Sequence, residues 1–299
     1  MPPMNPLLRR PVPELCLVLV VLGLILTCSA SLAAPVPATG ELRVMTFNLR
    51  FASDRKPNSW PERRPVVRAC LEASAPDIIG TQEGVYPQLL DVAADSPEYD
   101  WIGLGRDGGS RGEFMAVFFR KARFTPVAYD HFWLSDTPNL IASTNWGNTN
   151  RRMTTWVRLR DRQTEREFYV VNTHLDHALR SAREKSVGLI RERVASLDTN
   201  NLPVLLIGDF NAEPGREKTH DMFLEGGFFA DAWSTARTRR NEGFDTFHNF
   251  KGAIKGTFRI DWILTRGPWE CEAIETVLFE RGGQYPSDHH PVMAWLRLR

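Results

Sequence analysis

The segment PVLLIGDFNAEP, residues 203–214, decides how this chain is interpreted. Its uninterrupted apolar run is typical of a buried strand and leads directly into Asp209 and Asn211. A buried strand that stops at a carboxylate needs a reason, because ionised side chains are seldom buried without a partner. The segment therefore predicts a strand that carries a functional carboxylate at its carboxyl end.

Similar polar side chains recur at other predicted strand ends. Each has a structural explanation when it is taken alone, as a turn or loop residue. Strand ends in a layered α/β protein tend to gather at one rim, where sites are built. We therefore expect one shared site. The recurrences are Asn48 at the end of an apolar strand, Glu83 after DIIGTQ, His174 at the end of FYVVNTH, Asp261 within RIDWIL, and Asp288 with His289 before the last strand.

Hydrophobic periodicity predicts many strands and a few helices. The absence of a linker rich in Pro, Gly or Ser within 41–299 predicts one domain, and the mixture of elements indicates an α/β fold with much sheet. Ser59 and Glu62 resemble a capping box at the start of the first helix. Helices are predicted at 61–74, 86–95, 178–197 and 217–226, and strands at 41–50, 77–83, 99–104, 114–120, 126–134, 154–161, 166–174, 203–208, 258–265, 270–279 and 291–297.

The first 33 residues predict a signal peptide. Arg9 and Arg10 precede an apolar run at 15–28, and small residues follow in SASLAAP. Cleavage after Ala33 would leave a short tail, 34–40, and a secreted or periplasmic product. The apolar run is shorter than the about 20 residues of a membrane span, so the mature chain is expected to have no stable span. An uncleaved signal anchor is the alternative.

The composition is that of an ordinary globular chain, with 42% apolar and 24% charged residues. The formal net charge is +1, and removal of Arg9, Arg10 and Glu14 with the leader would bring it to zero. A neutral chain gives no global electrostatic argument for nucleic acid, although a local basic patch would suffice. Cys70 and Cys271 remain after cleavage, either as one disulfide or as two buried thiols.

The acids at the strand ends are suited to a metal. The carboxylates of Glu83, Asp209 and Asp288 offer the oxygen ligands that Mg²⁺ or Mn²⁺ prefers. Two histidines and two amides remain to hold an anionic group. A cation, charge-stabilised oxygens and a base directed at water are the components of phosphoryl hydrolysis.

The ordered motifs TFNLR, QEG, NTHLDH, GDFN, RIDWIL and SDHHPV resemble those of the endonuclease/exonuclease/phosphatase superfamily. The resemblance spans about residues 41–299 and is specific for the superfamily but nearly uninformative about the substrate. GRDGG, FWLSDTP and RRMTTW make the chain most similar to a poorly characterised, often exported bacterial branch. The resemblance implies a DNase I-like, four-layer α/β sandwich, in which two mixed β-sheets pack face to face between helices.

The resemblance also implies a role for each residue of the metal and water sites. Glu83 is implied as the principal metal ligand, with Asn48 nearby and Asp288 contributing to the site. Asp209 is implied to orient or deprotonate the attacking water. The cofactor implied is Mg²⁺ or Mn²⁺.

Four further residues are implied to act on the phosphate group. Asn211 and His174 would hold non-bridging oxygens. His289 would contact the phosphate and stabilise charge, oriented by Asp261 as a carboxylate–imidazole pair.

The chain also departs from relatives within this superfamily. Arg50 stands where apurinic endonucleases carry an aspartate, which weakens the case for abasic-site repair. Arg50, Arg106 and Arg152 are weaker candidates for substrate contacts, since each has a structural alternative. His177 is expected to be a surface residue or a substrate-side contact, and His290 is expected to be exposed.

These observations predict an exported, divalent-metal-dependent phosphoesterase that acts as a monomer. Its substrate would be a phosphodiester or phosphomonoester in a small molecule, a lipid headgroup or a nucleic acid. The alternatives are a secreted nuclease acting on DNA or RNA and an inactive binding module that keeps the fold. A serine hydrolase is disfavoured because the sequence has no G-x-S-x-G elbow.

Overall fold

The computed structural model describes residues 40–197 and 201–299. The predicted signal peptide, 1–33, and the predicted tail up to residue 39 lie outside the described residues. The described strands are β1 (Glu41–Asn48), β2 (Ile78–Gln82), β3 (Gly84–Val85), β4 (Tyr99–Ile102), β5 (Glu113–Phe114), β6 (Val117–Arg120), β7 (Phe124–Trp133), β8 (Met153–Asp161), β9 (Glu167–His174), β10 (Val204–Asp209), β11 (Ala230–Asp231), β12 (Thr238–Arg240), β13 (Asp261–Arg266), β14 (Trp269–Thr276) and β15 (Val292–Leu298).

The helices lie between these strands. None in the described ranges is long and apolar enough to cross a membrane. The helices are α1 (Trp60–Ser74), α2 (Tyr86–Asp95), α3 (Arg180–Leu197), α4 (Lys218–Leu224), followed by a short 3₁₀ turn (Glu225–Gly227), and α5 (Ala232–Thr235).

Most strands belong to two large mixed sheets. The first sheet has the order β12-β14-β15-β1-β2-β6-β4, and the second has the order β11-β13-β10-β9-β8-β7. The central pairs β1–β2 and β9–β10 are parallel, while β15, β6, β8 and β13 pair antiparallel with them. β3 and β5 form a separate small ribbon.

The core residues show how these sheets are layered. A central cluster joins both sheets, for example Val44 and Ile78 of the first with Val170 and Ile207 of the second. A second cluster packs α1 and α2 on the first sheet, and a third packs α3 and α4 on the second. This is helix, sheet, sheet, helix, so the predicted four-layer α/β sandwich is confirmed.

The apolar run of β10 follows from its place in these layers. Leu205 and Ile207 face the central core between the sheets, while Val204 and Leu206 face α3 and α4. A strand covered on both faces needs apolar residues at every position rather than at alternate ones. The unbroken run before Asp209 is therefore a consequence of four-layer packing.

The predicted first helix is confirmed as α1. Ser59 donates both its backbone N–H and its hydroxyl to the Glu62 carboxylate, at 2.9 and 2.8 Å. The Glu62 carboxylate therefore accepts from the N-cap backbone N–H, as the predicted capping box requires. The helix continues through Pro65 and ends where Ala75 adopts a left-handed conformation, φ 45°.

Cys70 and Cys271, the cysteines within the described residues, are separate, buried thiols. Cys70 belongs to the core between α1 and the first sheet, and Cys271 belongs to the core between the two sheets. The disulfide alternative is therefore wrong. Burial raises the pKa of each thiol to about 12.

Candidate active site

The register of the second sheet brings three predicted site residues together. Asp209, the last residue of β10, is paired with His174 on β9 and with Asp261 on β13. Gly208 precedes Asp209, and a Cβ at this position would lie 2.1 Å from the carbonyl oxygen of Thr173. Glycine therefore lets β9 and β10 approach closely where their functional side chains begin.

The first sheet contributes from the opposite side of the same rim. Asn48 ends β1 and is paired with Gln82 on β2, so Glu83 is the next residue along. The Ser287 hydroxyl donates to the Asn48 carbonyl oxygen at 2.6 Å, which holds the segment containing Asp288 and His289 against β1. The polar residues at the predicted strand ends of both sheets thus lie at the same rim.

These side chains surround a cavity of about 430 Å³, the size of a small-molecule site. Six of the eight predicted catalytic and metal residues line it, and the other two, Asn48 and Asp261, each contact a lining residue through a side chain. All three weaker arginine candidates lie in its wall as well. The predicted lining residues are Arg50, Glu83, Arg106, Arg152, His174, Asp209, Asn211, Asp288 and His289.

Asp209 is the centre of this arrangement. Its Oδ2 accepts a hydrogen bond from Asn48 Nδ2 at 3.0 Å and lies 3.4 Å from His174 Nε2 and 3.8 Å from His289 Nε2. Its Oδ1 accepts from the backbone N–H of Asn211 at 3.0 Å. Burial, reinforced by the nearby Asp261 carboxylate, raises the pKa of Asp209 above its ordinary value. A fixed carboxylate of raised basicity suits a general base.

His289 and Asp261 form the predicted carboxylate–imidazole pair. His289 Nδ1 lies 3.0 Å from Asp261 Oδ2, and both residues are buried. Burial alone lowers the pKa of His289, but the carboxylates of Asp261, Asp209 and Asp288 outweigh it and raise the pKa to about 10. His289 is therefore a cation at neutral pH, directed at the same carboxylate as Asn48 and His174.

His174 differs from His289 in charge. Burial, with the positive charges of Arg152 and Arg106 nearby, lowers the pKa of His174 well below its ordinary value. His174 is therefore a neutral imidazole, which offers a hydrogen-bond donor without a full charge. Asn211 lies beside it, with its Nδ2 donating to the Leu175 carbonyl oxygen at 3.1 Å.

Glu83 and Asp288 both lie beside the Arg50 guanidinium. The Arg50 guanidinium lies 3.6 Å from a carboxylate oxygen of each, so both acids surround a position that attracts a cation. Two carboxylates that open on a cavity are a donor set suited to a hard divalent ion. The Arg50 side chain is 41% exposed, whereas those of Glu83 and Asp288 are 14% and 7% exposed.

Asn48 links this pair of acids to Asp209. Its Nδ2 donates to Glu83 Oε1 at 3.1 Å as well as to Asp209, while its Oδ1 accepts from the backbone N–H of Arg50 at 2.9 Å. In this arrangement the amide holds the two carboxylates in a fixed relation. The assignment of Asn48 as a direct metal ligand stays a prediction.

A second group of ligand atoms lies across Asn48. One atom from each of Asp209, Asp261 and His289 falls within 4.8 Å of the others, a spacing that a metal ion requires. The hydrogen bond between Asp261 and the cationic His289 accounts for their closeness without an ion. The cavity thus offers two acidic groups, and the assignment of Glu83 and Asp288 as metal ligands stays a prediction.

The far wall of the cavity is basic but mostly neutralised. Arg106 makes a two-pronged ion pair with Glu113, at 2.6 and 2.9 Å. Arg152 is 4% exposed, and its Nη2 lies 3.2 Å from Nδ1 of the exposed His177. The expectation that His177 is a surface or substrate-side residue agrees with this position, since it also lines the cavity.

Sequence reasoning missed one part of the site and misjudged one residue. Phe247, Asn249 and Phe258 line the cavity from an irregular segment that has no periodicity to reveal it. His290 was expected to be exposed, and that expectation is wrong. It is 1% exposed because its ring stacks on the buried His248, with ring centres 4.0 Å apart.

Comparisons with known proteins agree with this geometry. Residues 45–289 match the model of the endonuclease/exonuclease/phosphatase family. A mannosyl-6-phosphatase from Bacteroides thetaiotaomicron is 33% identical, with a TM-score of 0.81 over 85% of this chain and 99% of that one. An endonuclease/exonuclease/phosphatase from Bacteroides vulgatus is 31% identical, with a TM-score of 0.79 over 87% of this chain and 99% of that one.

A more distant similarity is to an uncharacterized protein of Acanthamoeba polyphaga mimivirus. The two are 27% identical over 175 residues, which are 56% of this chain and 63% of the viral protein. The chain spans less than two thirds of the length of the curated relatives that it matches.

Proposed function

The chain belongs to the endonuclease/exonuclease/phosphatase family, and from this premise we propose that it is a divalent-metal-dependent phosphoesterase. It hydrolyses a phosphate ester by attack of an activated water. The proposal rests on one observation: side-chain nitrogens of Asn48, neutral His174 and cationic His289 all lie within 3.8 Å of Asp209 Oδ2. A buried base and a charge-stabilising group thus face the same space.

The side chains divide the reaction between them. Asp209 accepts the proton of the attacking water at Oδ2, held in place by Asn48 and by the backbone N–H of Asn211. His289 stabilises the negative charge that develops on the phosphoryl group, and Asp261 keeps its imidazolium charged and oriented. His174 and Asn211 hold non-bridging oxygens.

Glu83 and Asp288 would hold the ion, Mg²⁺ or Mn²⁺, with Asn48 fixing the Glu83 carboxylate. The fit rests on two largely covered carboxylates that both lie 3.6 Å from the same cation, the Arg50 guanidinium. A divalent ion at this position would polarise a phosphoryl oxygen and offset its charge.

Among substrate classes, a sugar monophosphate has the most support. The relative named a mannosyl-6-phosphatase is 33% identical and aligns over 85% of this chain. A cavity of about 430 Å³ accommodates a hexose phosphate. A nuclease acting on DNA or RNA is the alternative, and a net charge near zero gives it no general electrostatic support.

We also propose that the enzyme is exported and works as a monomer. The support for export is the basic, apolar and small-residue order of residues 1–33. Expression of the full chain in a bacterial host, followed by fractionation and mass spectrometry, tests it. Export predicts a product that begins at Ala34 and is absent from the cytoplasm, whereas an uncleaved product in the membrane fraction would contradict it.

The proposed activity is tested on the chain beginning at Ala34 with Mg²⁺, with Mn²⁺ and with EDTA. The substrates are p-nitrophenyl phosphate, bis-p-nitrophenyl phosphate, mannose 6-phosphate and plasmid DNA. We expect hydrolysis of a monoester that EDTA abolishes and that Asp209→Asn lowers by about 100-fold or more. EDTA-resistant turnover would contradict the role of the metal, and a fully active Asp209→Asn variant would contradict the assigned base. No turnover of any substrate, with metal binding intact, would favour a binding module.

A further inference from the structure

The three arginines in the cavity wall differ in how fully they are neutralised. Arg106 is held by both oxygens of Glu113, and Arg50 lies 3.6 Å from both Glu83 and Asp288. The nearest carboxylate to Arg152 belongs to Asp176, 3.9 Å away. Arg152 therefore retains the most uncompensated positive charge of the three.

The Asp176 carboxylate accepts hydrogen bonds from backbone groups ahead of α3. Its Oδ1 accepts the backbone N–H groups of Ala178 and Leu179, at 2.9 and 2.7 Å, ahead of α3. Its Oδ2 and the Nε of Arg152 are both buried, and neither has a hydrogen-bond partner among the described residues. The ion pair is therefore incomplete on both sides.

A cation in this condition is costly to the fold. Arg152 is only 4% exposed, and burial lowers the pKa of its guanidinium. Removing a charge from water without complete pairing is unfavourable, and an incompletely paired cation at a cavity is typical of a binding group. An anion bound in the cavity would supply the missing partner.

Arg152 also lies on the phosphate side of the site. It directly precedes β8, whose register pairs Thr154 with Thr173, so it reaches the same sheet edge as His174. The positive charge of Arg152 contributes to lowering the pKa of His174, and the Asp209 carboxylate acts to raise the pKa of Arg152. The acids Glu83 and Asp288 instead lie beside Arg50.

We propose that Arg152 is the residue that makes the site selective for phosphomonoesters, by binding the additional anionic oxygen of their dianionic phosphoryl group. The proposal rests on the proposed phosphoesterase function. A diester has two non-bridging oxygens and one negative charge, whereas a monoester has three and close to two charges at neutral pH. His174 and Asn211 serve two oxygens, and the planar guanidinium of Arg152 serves the third.

The neighbouring Arg151 provides a matched control. Arg151 is 43% exposed at its side chain, and its guanidinium contacts the carbonyl oxygen of Ala142 and the carboxylate of Asp107 outside the cavity. The test compares Arg152→Gln, Arg152→Lys and Arg151→Gln. Lysine keeps the charge but loses the fork of donors, so it separates charge from geometry and also protects the test against misfolding of Arg152→Gln.

The first measurement is kcat/KM for p-nitrophenyl phosphate and bis-p-nitrophenyl phosphate. In Arg152→Gln we expect about a 100-fold loss on the monoester and less than about a threefold change on the diester. Arg152→Lys should fall between wild type and Arg152→Gln, and Arg151→Gln should match wild type on both substrates. Equal losses on monoester and diester in Arg152→Gln and Arg152→Lys would overturn the proposal.

The second measurement does not depend on turnover. Sulfate is a tetrahedral dianion, so it should raise the melting temperature of the wild type and Arg151→Gln when compared with chloride at equal ionic strength. Arg152→Gln should lose this rise. If the wild type hydrolyses nothing but shows this sulfate pattern, the proposed function fails while the anion site stands. No sulfate effect in the wild type, or the same effect in all variants, would overturn the anion site.

Discussion

Three of the predicted site residues have a backbone conformation that residues other than glycine rarely adopt. Arg50, Glu83 and Asn211 have φ values of 52°, 61° and 49°. Each such residue costs on the order of 1 kcal/mol or more, and this cost is typical of functional sites. Glu83 directly follows β2 and Asn211 lies two residues after the end of β10, and both side chains line the cavity.

The role of Glu83 is tested by Glu83→Gln. Loss of one carboxylate from the proposed ion position should raise the Mg²⁺ or Mn²⁺ concentration for half-maximal rate by about tenfold or more. The neutral amide preserves size, and the Asn48 contact survives as an amide–amide hydrogen bond. The measurement is a metal titration of the rate, with isothermal calorimetry of metal binding as a readout that needs no substrate.

Two control variants show whether a shift in the metal titration is specific to Glu83. Glu72→Gln removes an exposed carboxylate that pairs only with Arg68 on α1, so its metal titration should match wild type. Asp261→Asn should lower kcat without moving the titration, since Asp261 acts through His289. An unchanged titration in Glu83→Gln, together with a shifted one in Asp261→Asn, would move the ion to the other acidic group.

At the scale of elements, helix α1 supports the site from beneath through Arg63. This side chain is fully buried, and burial lowers its pKa to about 10, still well above neutral, so it is a cation. Its guanidinium ties the segment after β1 and the segment before Asp288 to the helix. The acceptors are the carbonyl oxygens of Leu49, Arg50, Phe51, Asn58 and Pro286, at 2.7–3.3 Å.

Arg63→Met should destabilise the fold by about 3 kcal/mol or more, because five carbonyl oxygens lose a charged donor inside the protein. Urea unfolding followed by circular dichroism measures the change. The next residue is the control, since Arg64 pairs with Asp91 and Asp95 at the half-exposed surface between α1 and α2. Arg64→Met should cost at most about 1 kcal/mol. Similar losses in the two variants would show that Arg63 is not the anchor of this region.

Long periodic elements were predictable from the sequence, and irregular ones were not. The apolar stripe Val187, Ile190 and Val194 predicted α3, and these residues pack on the second sheet. The short strands β3, β11 and β12 and the helix α5 were missed, because two to four residues carry no period. The strand at 114–120 is split into β5 and β6 by pairing with different partners.

The candidate site followed a similar division. The strand-end residues were predictable because each strand carried its polar residue at a recognisable place in an apolar pattern. The partners that act from loops and helices were not, since the contacts of Arg63 with Pro286 and of His290 with His248 join segments far apart in the chain. Such contacts depend on the packed layers, which no local pattern encodes.

At the scale of the whole molecule, the reactivities of Cys70 and Cys271 measure the opening of two different layers. Cys70 lies between α1 and the first sheet, and Cys271 lies in the core shared by the two sheets. Both are nearly inaccessible, and the raised pKa keeps each protonated at pH 8. We therefore expect no reaction of the native chain beginning at Ala34 with Ellman's reagent, and reaction of both thiols in guanidinium chloride.

The order in which the thiols appear tests how the layers depend on one another. The central core joins both sheets, and the first sheet also carries α1 and α2, so loss of the inter-sheet core should remove the surface on which α1 packs. We expect Cys70 and Cys271 to become reactive over the same range of denaturant, measured separately in Cys271→Ser and Cys70→Ser. Exposure of Cys70 at a clearly lower concentration would show instead that the helical layer opens while the sheets remain packed. That outcome would place α1 and its Arg63 anchor in a less stable unit than β9, β10 and the side chains at their ends.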